Sequence, residues 1–251
     1  MQINKLYNES CFDTMKKMSN NFVDIIITSP PYNENKNYSK YKDNLPLIEW
    51  IGFIKEFLLE SKRILKSDGR ICLNLAESGR SPCIPKPHII SSIMYEMDFL
   101  LRGHIIWHKP GYKGCAWGSW NSPSNPSITD NSEYIIVASN KELKKKGKKE
   151  NIDITKDEFK EWVTGHWTIS PSSSKKHPCI FPEELVKRCL KLYSFKNDLV
   201  YDPFMGLGTT AKTAKKYNRN FIGSEIDERY YKESLKEVNK INSIKEDLIF
   251  V

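Results

Sequence analysis

Leu199-Val200-Tyr201-Asp202-Pro203-Phe204-Met205-Gly206-Leu207-Gly208-Thr209-Thr210-Ala211 reads as the end of one element, a tight turn and the start of another. Leu199 to Tyr201 is a short apolar run of the kind that fills a strand buried on both faces. Thr209 to Tyr217 then follows as a helix. Between them Gly206 and Gly208, with Ala211 three residues on, give G-x-G-x-x-A, which lets the backbone pass close to a ligand and the helix pack close to the strand. Glu225 closes the next strand-like run, Asn220 to Glu225, nineteen positions after Gly206, where a carboxylate can take the two hydroxyls of a ribose. Strand, glycine turn, helix, strand and acid in that order predict an α/β fold with a nucleoside site at the carboxyl ends of parallel strands.

The same rhythm extends toward the amino terminus. Val23 to Ile27 is a second buried strand and runs into Thr28-Ser29-Pro30-Pro31-Tyr32. Asn33 to Asn44 is polar and without periodicity, a mobile loop. Apolar residues from Leu47 to Leu65 recur at helical spacing, and Ser67-Asp68-Gly69 supplies the stop. Arg70 to Leu75 is a strand, Ile89 to Met97 a helix, and Leu101 to Trp107 a strand ending in His108-Lys109-Pro110. Glu183 to Leu192, with Pro182 before its first turn, and Asp227 to Ile241 are further helices. The alternation predicts a mostly parallel, doubly wound sheet with helices on both faces. From Gly111 to Gly165 the texture changes to Gly, Ser, Asn, Pro and Trp, with one strand-like piece, Glu133 to Ala138, and a run from Lys141 to Lys149 holding six lysines against one glutamate.

Composition bounds the function. A chain of 251 residues with net charge +8 and pI near 9.0 favours a polyanionic partner, nucleic acid above all. The cysteines, Cys11, Cys72, Cys83, Cys115, Cys179 and Cys189, form no CxxC pair or regular framework, which speaks against a zinc module and a secreted disulfide scaffold. His88, His104, His108 and His166 lack metal-ligand spacing, and no metal is expected. Neither a leader pattern nor an apolar run of membrane length is present, so the expectation is a cytoplasmic protein without membrane contact.

Taken together, the Ser-Pro-Pro-Tyr and Asp-Pro-Phe-x-Gly-x-Gly-Thr-Thr segments resemble those of the DNA methyltransferases that modify exocyclic amino groups. Three further stretches are similar to that family: Ile106 to Pro110, Trp117-Gly118-Ser119-Trp120 with Pro123 and Pro126, and Trp167 to Pro171 with Lys176-His177-Pro178 and Phe181 to Leu185. The resemblance spans about Leu6 to Tyr230 and implies a Rossmann-like S-adenosylmethionine-dependent fold with an inserted, irregular target-recognition region. It implies that Asp202, Pro203, Phe204, Gly206, Gly208, Thr209, Thr210, Glu225, His177 and Pro178 bind the cofactor, with Phe204 on the adenine. One departure stands out: where relatives carry Gly-Asp-Cys or Gly-Asp-Ser near the amino terminus, this chain has Asn8-Glu9-Ser10-Cys11, so that contact falls to Glu9, to Ser10, or to neither.

Ser29, Pro30, Pro31 and Tyr32 would form the catalytic seat. The lone pair of an exocyclic amine is delocalised into its ring, and two acceptors on one side of the nitrogen favour the loss of planarity that attack on a methyl group requires. Ser29 offers a hydroxyl oxygen and Pro30 a carbonyl, and consecutive prolines keep both aimed. Tyr32 can stack on a base flipped out of the duplex. Serine before Pro-Pro-Tyr is the form typical of N4-cytosine members, with adenine N6 the alternative.

The order of the segments, amine seat first and cofactor loop last, matches the class called beta. It implies catalytic and cofactor halves at 1–110 and 166–251 around a recognition region at 111–165. There Lys113, Trp117, Ser119, Asn121, Ser124 and Asn125 are candidates for DNA contacts, and Lys144, Lys145 and Lys146 for phosphates. The expected activity is site-specific methylation of double-stranded DNA, as the modification half of a restriction system in a prokaryote or phage. A cognate endonuclease would act separately, and monomer and homodimer are both open. RNA or protein-glutamine methylation and a non-catalytic DNA-binding module are the other readings.

Overall fold

A computed structural model describes residues 1–38, 40–77, 82–111, 118–126, 128, 130–172 and 182–247. The first half of the chain forms β1 (Lys5–Tyr7), α1 (Cys11–Lys16), β2 (Val23–Thr28), a small hairpin of β3 (Asn37–Tyr38) and β4 (Tyr41–Lys42), α2 (Leu47–Ile64), β5 (Leu65–Leu75), α3 (Lys86–Glu96) and β6 (Leu100–His108). The second half forms β7 (Ser132–Ser139), α4 (Lys156–Trp162), β8 (His166–Thr168), α5 (Glu183–Tyr193), β9 (Leu199–Asp202), α6 (Thr209–Lys216), β10 (Asn220–Ser224) and α7 (Glu228–Asp247).

Eight strands make one sheet in the order β1-β10-β9-β2-β5-β7-β6-β8. Every neighbouring pair is parallel except the two that involve β7. Strand residues alternate between two cores, as period-two geometry requires. Ile26, Ile71, Leu73, Ile136 and Tyr201 pack with α1, α2 and α3, while Ile25, Ile27, Cys72, Ile135 and Val200 pack with Trp162 of α4 and with α5, α6 and α7. Helices therefore cover both faces, as the sequence predicts.

From β2 the chain winds through α2 to β5 on one side, and from β9 through α6 to β10 on the other, so the strand order reverses between the adjacent strands β2 and β9. Open α/β sheets bind their ligands at such a switch point, outside the carboxyl ends of the strands. Both predicted segments emerge there.

Three expectations need correction. Ser67-Asp68-Gly69 does not stop α2; the helix ends at Ile64 and the chain enters β5 directly, with the three residues falling where the register against β2 shifts between Val23 and Ile25. A Cβ at Gly69 would lie 2.9 Å from the carbonyl oxygen of Lys66, which is why glycine sits in that kink. The segment 33–44 contains the β3–β4 hairpin, and its base is tied: the buried Asp43 carboxylate accepts from the backbone N–H groups of Asn33, Glu34 and Lys36. Residues 132–139, expected inside an inserted region, are a central strand of the main sheet, and Trp162 belongs to its core. The strand β1 and helix α1 are additions to the sequence reading, because so few residues carry no strong periodicity. Among the described residues no helix is long and apolar enough to cross a membrane.

Candidate active site

A cavity of about 570 Å³ opens at the carboxyl ends of β2 and β9. Ser29, Pro30, Pro31 and Tyr32 line it together with Asp202, Pro203, Phe204, Gly206, Thr209, Thr210 and Glu225. Two segments about 170 residues apart in sequence thus share one wall. Thr28 Oγ1 donates to Asp202 Oδ1 at 2.7 Å, a buried bond that locks the seat to the glycine loop.

The backbone of the seat is fixed from outside. Trp50 Nε1 of α2 donates to the Pro31 carbonyl at 2.8 Å, and the buried Lys86 ammonium of α3 donates to the Tyr32 carbonyl at 2.6 Å while pairing with Glu34. The two prolines remove backbone donors and fix φ, so the turn has little freedom left. Ser29 Oγ donates to the Tyr32 hydroxyl at 2.7 Å, and that hydroxyl donates to Glu133 Oε2 at 2.9 Å.

On the other side, Gly206 takes φ +51 and Gly208 φ +78, conformations that favour glycine. The Gly206 N–H donates to Glu225 Oε2 at 2.9 Å, and the Asp227 N–H to Glu225 Oε1 at 2.8 Å. Gly208 does not line the cavity. It precedes α6, and a Cβ there would lie 2.8 Å from Cβ of Ser234 on α7, so the absence of a side chain lets the two helices pack closely. Phe204 stands in an aromatic wall, 5.9 Å from Phe53 and 5.2 Å from Phe57 between ring centroids.

Burial pushes the Glu225 carboxyl up to about 7, against the N–H donors of Asp227 and Gly206 that favour its ionised form. Asp202 is pushed up to about 6 by burial as well, although Thr28 and the Phe204 N–H donate to it. At the amino-terminal departure, Glu9 accepts from Thr14 and pairs with Lys17, whereas Ser10 lines the cavity and caps α1 by accepting from the Phe12 N–H.

The predicted DNA contacts divide. β6 ends and β7 begins at the cavity end of the sheet, and among the described residues between them Asn121, Ser124 and Asn125 are exposed. Trp120 there is 81% exposed. Ser119 instead builds the loop, its hydroxyl donating to the Ser122 carbonyl and accepting from the Asn125 N–H. Lys113, Trp117, His177 and Pro178 lie outside the described residues.

For Lys145 the expectation of a phosphate contact needs correction, and the lysine run as a whole lies away from the cavity. It follows β7, which is antiparallel, and so lies at the opposite end of the sheet from the cavity, about 20 Å away along the strand. Lys145 is buried there, its ammonium 3.0 Å from Asp24 and 3.4 Å from Asp198, and is unavailable to phosphate. Lys144 and Lys146 are exposed at the same end. The cations that do rim the cavity are Lys36 and Lys40 of the hairpin segment, with Lys109 deeper in. Asn74 and Glu133 also line it and escaped the sequence reading, because a lone polar residue in an apolar strand announces no ligand.

A model of the DNA methylase family matches residues 23–236. The chain belongs to this family. The type II methyltransferase M.MjaVI of Methanocaldococcus jannaschii is 37% identical over 161 residues, covering 63% of this chain and 82% of M.MjaVI. The type II methyltransferase M.BglII of Bacillus subtilis is 29% identical over 245 residues, covering 91% of this chain and 67% of its own. The fold of this DNA methylase superposes on TTHA0409 of Thermus thermophilus, complexed with S-adenosyl-L-methionine, with a TM-score of 0.76 at 22% identity, covering 94% and 93% of the two chains. On PvuII DNA methyltransferase, cytosine-N4-specific, the TM-score is 0.72 at 20% identity, covering 96% and 90%.

Proposed function

We propose that this DNA methylase transfers the methyl group of S-adenosyl-L-methionine to the exocyclic N4 of a cytosine flipped out of duplex DNA, as the modification enzyme of a restriction system. The observation that carries this reading is the sharing of one cavity by the Ser29 seat and the Glu225 pocket, which would hold amine and cofactor side by side. The cofactor supplies an electrophilic methyl on a sulfonium, so direct displacement needs in-line placement more than any acid or base. The residues fit it: Glu225 offers a carboxylate to two ribose hydroxyls, Phe204 and Phe53 an aromatic wall for adenine, and Gly206 a backbone without a side chain in the way. Ser29 Oγ and the Pro30 carbonyl would accept from the amine, and Tyr32 would stack on the base. Serine in place of the acid or amide used by other members favours cytosine.

Duplex DNA would approach from the cavity end, its phosphates met by Lys36 and Lys40. Loops at 118–126 would stand over the neighbouring bases. Mass spectrometry of duplex DNA incubated with the protein and S-adenosyl-L-methionine tests the reading: N4-methylcytosine is expected, and N6-methyladenine alone would overturn the choice of base.

Glu225 gives this reading a pH dependence. The carboxylate form takes the ribose hydroxyls, so cofactor affinity should fall as pH is lowered from about 8 to about 6, through the raised value of Glu225 near 7, and Glu225→Gln should bind weakly with a flat profile. Calorimetric titration across that range reads both. Stability runs the other way: a buried carboxyl with a raised value stabilises the fold below its unfolded range and loses that contribution as pH rises. The Glu225→Gln chain should therefore gain melting temperature relative to the parent between about pH 5 and pH 8.

A further inference from the structure

Tyr32 is placed in the seat for its ring, yet its hydroxyl is held by a polar cluster that base stacking does not need. Glu133, at the start of β7, accepts from the Tyr32 hydroxyl at 2.9 Å and from the Lys109 ammonium on its other oxygen. Asn74, near the end of β5 and 2% exposed, donates through Nδ2 to the Tyr32 oxygen at 2.6 Å and to the same Glu133 oxygen. Its Oδ1 is buried without a hydrogen-bond partner among the described residues, so the amide orientation follows from the two acceptors facing its N–H groups.

These contacts set the direction of the Tyr32 and Ser29 protons. A carboxylate only accepts, so the Tyr32 proton lies toward Glu133. The Tyr32 oxygen therefore faces Ser29 as an acceptor, and the Ser29 proton is committed to Tyr32 rather than to a group entering the cavity. Ser29 then turns lone pairs alone toward an incoming amine. A serine hydroxyl can otherwise donate or accept by rotation, and a proton aimed at an N–H would oppose the bond the seat needs.

We infer that Glu133, fixed by Lys109 and Asn74, is a positioning residue for methyl transfer, which acts through Tyr32 to hold Ser29 as an obligate acceptor for the amine. The inference rests on the amino-methylation reading above. Glu133→Gln keeps the shape but lets an amide N–H face Tyr32, which can reverse the chain and turn the Ser29 proton into the cavity.

Single-turnover transfer of labelled methyl to duplex DNA by the full chain tests it. Glu133→Gln should slow transfer about 10-fold to 100-fold, short of or equal to the loss of one transition-state hydrogen bond, with cofactor and DNA dissociation constants within about 2-fold of the parent. Glu133→Asp should recover part of the rate. In a Ser29→Ala background, Glu133→Gln should add nothing, because the two act on one interaction. An unchanged rate in the single variant, or losses that multiply in the double variant, would overturn the inference. Should Glu133→Gln fail to fold, Tyr32→Phe keeps the ring, removes the middle hydroxyl and is read by the same cycle with Ser29→Ala. A parent that methylates adenine leaves this test intact, whereas one that methylates no base sinks the functional reading and this inference together.

Discussion

Ser29→Ala is expected to lower methyl-transfer turnover by about 10²-fold or more, the usual consequence of removing one hydrogen bond made chiefly in the transition state. The amine is planar and conjugated before reaction, and its N–H groups bond only weakly out of the ring plane. As the nitrogen turns tetrahedral those hydrogens tilt toward the seat, so an acceptor held there stabilises the transition state more than the bound base. The structure makes Ser29 well placed for this: its turn is fixed by two prolines and by Trp50 and Lys86 on the carbonyls of Pro31 and Tyr32. Cofactor affinity should stay within about 2-fold, because the proposed cofactor contacts are made by Glu225, Phe204 and Gly206 rather than by Ser29. Pre-steady-state turnover beside calorimetry of cofactor binding separates the two. Near-parent turnover would remove Ser29 from the reaction.

Lys145→Ala should destabilise the fold by about 3–5 kcal/mol, the range for removing one partner of a buried ion pair. Its ammonium, 3% exposed, lies 3.0 Å from Asp24, 3.4 Å from Asp198 and 3.9 Å from Asp68, at the starts of β2, β9 and β5. Asp24 also accepts from the Leu199 N–H and from Lys66. Burial pushes the Asp24 carboxyl up, and Lys145 with these donors more than reverses it, holding it below the ordinary carboxylate range. Asp198 is pushed up, by burial and by Asp24. Without Lys145, carboxylates face one another with too few cations.

The sign with pH follows. A depressed carboxyl contributes stability above its unfolded value and loses it on acidification, so the gap between Lys145→Ala and the parent should narrow as pH falls from about 7 toward about 4. Urea unfolding at the two pH values measures it. Changing Lys144 and Lys146 together should shift stability by about 0.5 kcal/mol or less. It should also weaken DNA binding less than changing Lys36 and Lys40, which filter binding at several salt concentrations would show. Equal losses from the two pairs would return the lysine run to the DNA interface.

The contrast between Lys144, Lys145 and Lys146 explains where sequence reading stops. Three consecutive lysines are chemically identical in the sequence, yet one closes the base of the sheet and two face solvent, since only the folded chain brings Asp24, Asp68 and Asp198 to one of them. Glu133 and Asn74 were illegible for a similar reason. They sit 59 positions apart and meet because β7 pairs antiparallel with β5, placing Tyr134 opposite Leu75 and Ile135 opposite Asn74. Gly208 shows the same limit: its spacing fits a ligand turn, and only the fold reveals Ser234 on α7 as its close neighbour.

What the sequence determined by itself is whatever depends on neighbours along the chain. Apolar runs and helical periods placed the central strands and most helices. Two glycines with positive φ required a sharp turn at 206–208, two prolines fixed the one at 30–31, and the order of these turns pointed to the family. The tertiary structure alone decided which charges meet: that Asp202 is bound by Thr28, that the lysine run hangs at the far end of the sheet, and that Ser29 is joined through Tyr32 to Glu133. Electrostatics and hydrogen bonding act across space at a few ångströms, and strand register, not sequence distance, sets which groups come that close.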